Sequence, residues 1–115
     1  MDWPDILRRI QEKESDVTDF KRWEAFPGQV GKAVCAMANT RGGVVVLGID
    51  DDGRIAGVAA DPDKVQERLT SFLQTSMNAP VSARPGLYRT PAGWVRFCDV
   101  MDEALPYPQF YCEEI

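Results

Sequence analysis

The sequence predicts an α+β domain: a small mixed or antiparallel sheet packed with two to three helices. Three observations predict it. Apolar residues recur at helical spacing in separate stretches near residues 4–13, 29–40 and 61–77. Between them lie short strand-like runs, and Val44–Ile49 is almost wholly apolar and β-branched, as a central strand covered on both faces would be. Helices interleaved with paired strands pack as layers of sheet and helix.

Each element follows from local signals. Pro4 suits a helix start, and Ile6, Leu7 and Ile10 alternate with Arg8, Arg9, Gln11 and Lys13, which sets a first helix over about 4–13. A short strand follows at Val17–Lys21, with Val17, Asp19 and Lys21 on one face and Thr18 and Phe20 on the other. Pro27-Gly28 punctuates a loop over 22–28. From Gln29 to Thr40, Val30, Ala33, Val34, Met37 and Ala38 form an apolar stripe, and Gly42 or Gly43 is free to take the left-handed cap that ends it. Asp52-Gly53 signals a two-residue hairpin, on whose register Asp51 faces Arg54 and Asp50 faces Ile55.

Asp61 is a natural cap for a second long helix, with Pro62 in its first turn and Val65, Leu69, Phe72, Leu73 and Met77 as its buried stripe. A strand near Val81–Tyr88, a turn at Pro91-Ala92-Gly93 and a strand at Trp94–Val100 complete the pattern. The tail Leu105-Pro106-Tyr107-Pro108-Gln109-Phe110-Tyr111 resembles the beginning of a further strand. A segment so aromatic packs on its own domain, meets a partner such as a second copy, or belongs to a longer chain.

At 115 residues the chain is read as one domain over 1–115, with room for a single core. No apolar run approaches the ~20 residues that cross a bilayer, and Met1-Asp2-Trp3-Pro4 lacks a signal pattern, so the expected location is cytoplasmic and away from membranes. Cys35, Cys98 and Cys112 are scattered, without a CxxC pair, which makes a poor disulfide framework and a poor zinc site; Cys35 and Cys98 read as small core residues. Histidine is absent, which removes Ser-His-Asp and Cys-His catalysis. A net charge of −5 runs against phosphate binding in general, although a local basic face is compatible with an acidic total.

Three places hold chemistry. Asp19-Phe20-Lys21 sets a carboxylate and an ammonium about 7 Å apart on one strand face. Such a pair suits metal-assisted phosphodiester cleavage, with the acid on Mg²⁺ or Mn²⁺ and the lysine neutralising the phosphate. Glu14 and Asp50 would complete the acidic cluster; the plain alternative is a surface ion pair. The corner Asn39-Thr40-Arg41-Gly42-Gly43 offers close backbone approach and a bidentate phosphate donor, or merely a helix cap. Asp50-Asp51-Asp52-Gly53 lacks calcium-loop spacing and reads as an acidic turn. Lys21, Arg22, Lys32 and Arg41 cluster around the strand-to-helix region, where Trp23 and Phe26 either stack bases or close the core.

Three blocks in order resemble the Schlafen-type AlbA-like domain. They are Glu14-Ser15-x-x-x-Asp19-Phe20-Lys21, Ala36-Met37-Ala38-Asn39-Thr40-x-Gly42-Gly43, and Val46-Leu47-Gly48-Ile49-Asp50-Asp51-Asp52-Gly53-x-Ile55-x-Gly57. The resemblance implies a small α+β domain, in bacteria usually labelled a DNA-binding or transcription-regulator module. In animal Schlafen proteins a related core cleaves transfer and ribosomal RNA through three carboxylates. Those positions fall here on Glu14, Asp19 and Asp50, with Asp51 the other choice for the third. This chain departs from the family in having Asp19 where Glu is usual and Met37 where Phe is usual. Family members commonly carry a further strand after the aromatic-proline segment, which this chain lacks or has lost, and the animal nucleases build their groove from two such domains.

The leading expectation is a nucleic-acid-binding module, for DNA or RNA, of bacterial regulatory type. Its contact surface is Lys21, Arg22, Lys32, Asn39, Arg41, Gly42 and Gly43, and the sequence assigns it no certain cofactor. The first alternative is a Mg²⁺- or Mn²⁺-dependent endoribonuclease using Glu14, Asp19 and Asp50 on the metal and Lys21 on the phosphate. The second is an oligomerisation module joined through the C-terminal tail. Both nucleic-acid readings need the Asp19/Lys21 strand to lie beside the valine-rich strand. They also need the acidic ends and the diglycine bend to open onto one groove.

Overall fold

A computed structural model describes residues 2–75 and 83–100. In chain order its elements are α1 (Trp3–Glu12), β1 (Thr18–Lys21), a 3-10 turn (Trp23–Ala25), α2 (Gly28–Ala38), β2 (Gly43–Leu47), α3 (Pro62–Thr75), β3 (Ala83–Thr90) and β4 (Gly93–Val100). The strands form one mixed sheet in the order β1-β2-β4-β3. β1 runs parallel to β2, with Asp19 opposite Val45, and the other neighbours are antiparallel. The expected α+β class is what the chain adopts.

The sheet is the middle of three layers. On one face Phe20, Val44, Val46, Val95 and Phe97 pack with Ile6 and Ile10 of α1. On the other Val45, Leu47, Cys98 and Val100 pack with α2 and α3. Val44 to Leu47 are all buried, the burial that an unbroken apolar run anticipates. Cys35 and Cys98 are buried core residues, as expected. No described helix is long and apolar enough to cross a membrane.

Capping sets the helix ends. The Asp2 carboxylate accepts from the Asp5 N–H at 3.1 Å and starts α1. Asp61 does the same for α3, accepting from the Asp63 N–H at 2.9 Å. The region read as a plain loop contains the 3-10 turn.

The hairpin register is corrected by one residue. The Asp50 N–H donates to the Arg54 carbonyl at 2.8 Å and Ile49 bridges Ile55, so Asp50, not Asp51, faces Arg54. The loop is three residues long, with Gly53 left-handed at φ +86° in its last place. β2 also stops at Leu47, because Gly48 turns left-handed at φ +96° and breaks the ladder before Ile49. Met77, Val81, Cys112 and the aromatic tail 105–111 lie outside the described residues.

Candidate nucleic-acid interface

Strand alternation decides where the chemistry of β1 points. Thr18 and Phe20 are buried, Phe20 among the residues around α1. Asp19 and Lys21 therefore emerge on the opposite face, beside α2. They pair at 3.3 Å with about one-fifth of each side chain exposed. The first requirement of the sequence reading is met: this strand lies directly against the valine-rich strand.

The second requirement is met only in part. Because β1 and β2 run parallel, the diglycine bend stands at the start of β2 and Asp50 beyond its end. Asp50 is five residues past Val45, the partner of Asp19, on the order of 15 Å at ~3.3 Å per residue. There it accepts from Arg22 at 3.1 Å. Glu14 is turned to the outer edge of β1, where Oε1 accepts the Phe20 N–H at 3.0 Å. Among the described residues no three acidic or cysteine side chains gather as metal ligands. Glu14, Asp19 and Asp50, or Asp51 in its place, thus do not fit a shared Mg²⁺ or Mn²⁺.

What the fold does assemble is an open groove of about 470 Å³ between α2 and the segment leading into β1. Ala33, Ala36 and Met37 of α2 line it, with Ser15, Asp16 and Asp19 across from them and Thr40 and Arg41 at one end. Arg41 reaches across to an ion pair with Asp16. Both partners are about two-thirds exposed or more, so the pair contributes only about 0–1 kcal/mol and exchanges readily. Lys32 is exposed on α2, and Arg22 is exposed near Asp50.

The Gly42-Gly43 corner has a structural duty. Gly42 is buried, at φ +72°, and its N–H donates to the Met37 carbonyl at 2.8 Å, closing the helix end. Gly43 lets the β1 approach come close, since a Cβ there would sit 2.8 Å from the Val17 carbonyl oxygen. Asn39 is half-buried at the helix cap, its N–H donating to the Cys35 carbonyl. Thr40 and Arg41 are the exposed part of this corner. Trp23 and Phe26 stack on each other at 4.7 Å, pack on the α2–α3 core and lie under Arg68, so they close the core.

Sequence reasoning did not single out Ser15, Asp16 or Ala36 as site residues, and it named Thr40 only as part of the Asn39–Gly43 corner. Asp16 and Ser15 lay inside the family-like block, and Ala36 stands three residues after Ala33, a helical spacing that places them together.

Residues 14–105 match the model of the family described as Schlafen, AlbA_2. A plant protein named probable trehalose-phosphate phosphatase 4, from Oryza sativa subsp. japonica, is 31% identical over 85 residues, 69% of this chain and 22% of that protein. The chain thus spans about a fifth of that relative's length. Among solved structures, the N-terminal domain of a RecG-related protein from Nitrosomonas europaea aligns with a TM-score of 0.71 at 24% identity, covering 96% of this chain and 86% of that one. The DIP2311 protein of Corynebacterium diphtheriae aligns at 0.55 and 21% identity, over 85% of this chain and 19% of that one. Both likenesses concern the fold.

Proposed function

The chain belongs to the Schlafen, AlbA_2 family, and we propose that its task is to bind nucleic acid, DNA or RNA, as a module of a regulatory protein. One observation carries the reading: on a chain of net charge −5, Arg41 lines the groove between α2 and β1, Lys21 pairs with Asp19 of its lining, and Lys32 is exposed on α2. Clustered cations draw phosphates even where the total charge opposes them. The description of the Nitrosomonas neighbour as related to the DNA helicase RecG supports the same class of ligand.

Lys21 and Arg41 each meet a carboxylate, so a phosphate would compete for cations already paired within the chain. Binding is accordingly modest and salt-sensitive. Fluorescence anisotropy with labelled DNA and RNA, titrated at low and moderate salt, tests it: the signal rises at low salt, weakens with added salt and falls in Arg41→Ala. No binding at low salt to any probe rejects the reading. The nuclease alternative is not adopted, because its three carboxylates stand apart. The oligomerisation alternative rests on residues outside those described.

A further inference from the structure

We propose that the groove between α2 and β1 takes an unpaired, single-stranded stretch of nucleic acid in preference to a duplex. The proposal rests on the nucleic-acid reading above and names the class of its ligand. Two features of the groove carry it.

The first is the floor. Ala33, Ala36 and Met37 make it apolar, and Ala36 is exposed along α2. A duplex turns its base faces inward and presents phosphates, so it has nothing to lay on an apolar surface. An unpaired strand has free base faces that lose water there.

The second is the rim. Arg41 stands against Asp16 and Lys21 against Asp19, with Lys32 exposed on α2, and this near balance matters. Duplex binding grows from neutralising many phosphates together, whereas three cations, two of them facing carboxylates, neutralise few. Asp19 also keeps about one-fifth of its side chain exposed, an acceptor for the Watson–Crick-edge amino hydrogens that unpaired bases leave free and a duplex engages in pairing.

The test is fluorescence anisotropy on the whole chain with three labelled probes of equal length: single-stranded DNA, single-stranded RNA and the matching DNA duplex. A single strand is expected to bind at least about tenfold tighter than the duplex. Its log–log salt slope should be no steeper than about −2, since three cations contribute ~0.7 each. Ala36→Glu keeps a good helix former at an exposed site and puts a carboxylate on the floor; single-strand affinity should fall about tenfold or more. Lys32→Glu, on the exposed side of the same helix, is the second variant with the same expectation. Gln74→Glu, exposed on α3, makes the same charge change as Ala36→Glu away from the groove and should alter affinity less than about twofold.

A duplex that binds as tightly as the single strands overturns this inference and leaves the nucleic-acid reading standing. Absence of binding by every probe overturns both. Unchanged affinity in Ala36→Glu and Lys32→Glu, with unchanged circular dichroism, removes the groove as the seat.

Discussion

Gly43 lets β1 come close to the end of α2 because it has no side chain. Its φ is +148° and an added Cβ would meet the Val17 carbonyl oxygen at 2.8 Å and Met37 Sδ at 3.0 Å. Gly43→Ala is expected to cost about 2–4 kcal/mol in urea unfolding, from backbone strain and displacement of β1 together. Asp16 acts in the opposite sense on function. Asp16→Asn releases Arg41 and should tighten nucleic-acid binding by about threefold, since an exposed pair is worth ~0–1 kcal/mol; weaker binding in that anisotropy experiment would contradict the role given to Arg41. Cys98 is governed by burial, which pushes its thiol up to about 11 while nearby Arg96 pulls it down. The folded chain therefore holds this proton where the unfolded chain has lost it. The stability gained is full below about pH 8.5 and declines as pH rises through 11, by about 2–3 kcal/mol. Unfolding measured from pH 8 to 11 should show a shallower decline in Cys98→Ala than in the native chain.

Among the elements, β1 and α3 are held by polar contacts that the sequence pattern gave no reason to expect. The outer edge of β1 is blunted locally: Ser15 exchanges backbone hydrogen bonds with Thr18, and Glu14 accepts the Phe20 N–H. The carboxylate singled out as a metal ligand thus protects an exposed strand edge. Glu14→Ala should cost about 1 kcal/mol, with Glu14→Gln retaining most of it through its amide oxygen. α3 is tied to the sheet by Arg96 of β4, which is 4% exposed and donates to the Gln66 side chain and, at 3.1 Å, to the Pro62 carbonyl. Burial lowers its pKa, with Cys98 and Asp63 acting in the other direction, and its Nε has no partner. A buried charge so incompletely satisfied is a weak source of stability. Arg96→Met should therefore destabilise by at least about 1 kcal/mol less than Arg96→Ala, which leaves a cavity as well. Equal losses in thermal unfolding would show that the guanidinium contacts dominate.

At the scale of the molecule, the parallel pairing of β1 with β2 decides which candidate residues meet. It brings the Asp19–Lys21 pair and the Arg41 corner to one groove and leaves Asp50 beyond the far end of β2 with Arg22. Among the described residues no ligand set gathers, and carboxylates that stand apart gain no stability from a divalent cation. Added Mn²⁺ or Mg²⁺ should leave the melting temperature unchanged; a rise of several degrees that disappears in Asp19→Ala would mean that the carboxylates do converge on an ion. A groove beside an edge strand also gives an acidic chain a place for the local phosphate-binding face proposed above.

Periodicity alone determined the helical stripe of Val30, Val34 and Met37, the doubly covered strand at Val44 to Leu47, and the opposed faces of β1, because these follow from which side chains leave water. The hairpin register escaped it, since Asp52-Gly53 fits a two-residue loop while the chain uses three residues with Gly53 last. The groove escaped it as well. Ser15, Asp16, Ala36 and Thr40 carry no shared local signal, and they become neighbours only when α2 packs beside β1. Which carboxylates stand together was likewise settled by strand direction, a non-local choice made by the whole core.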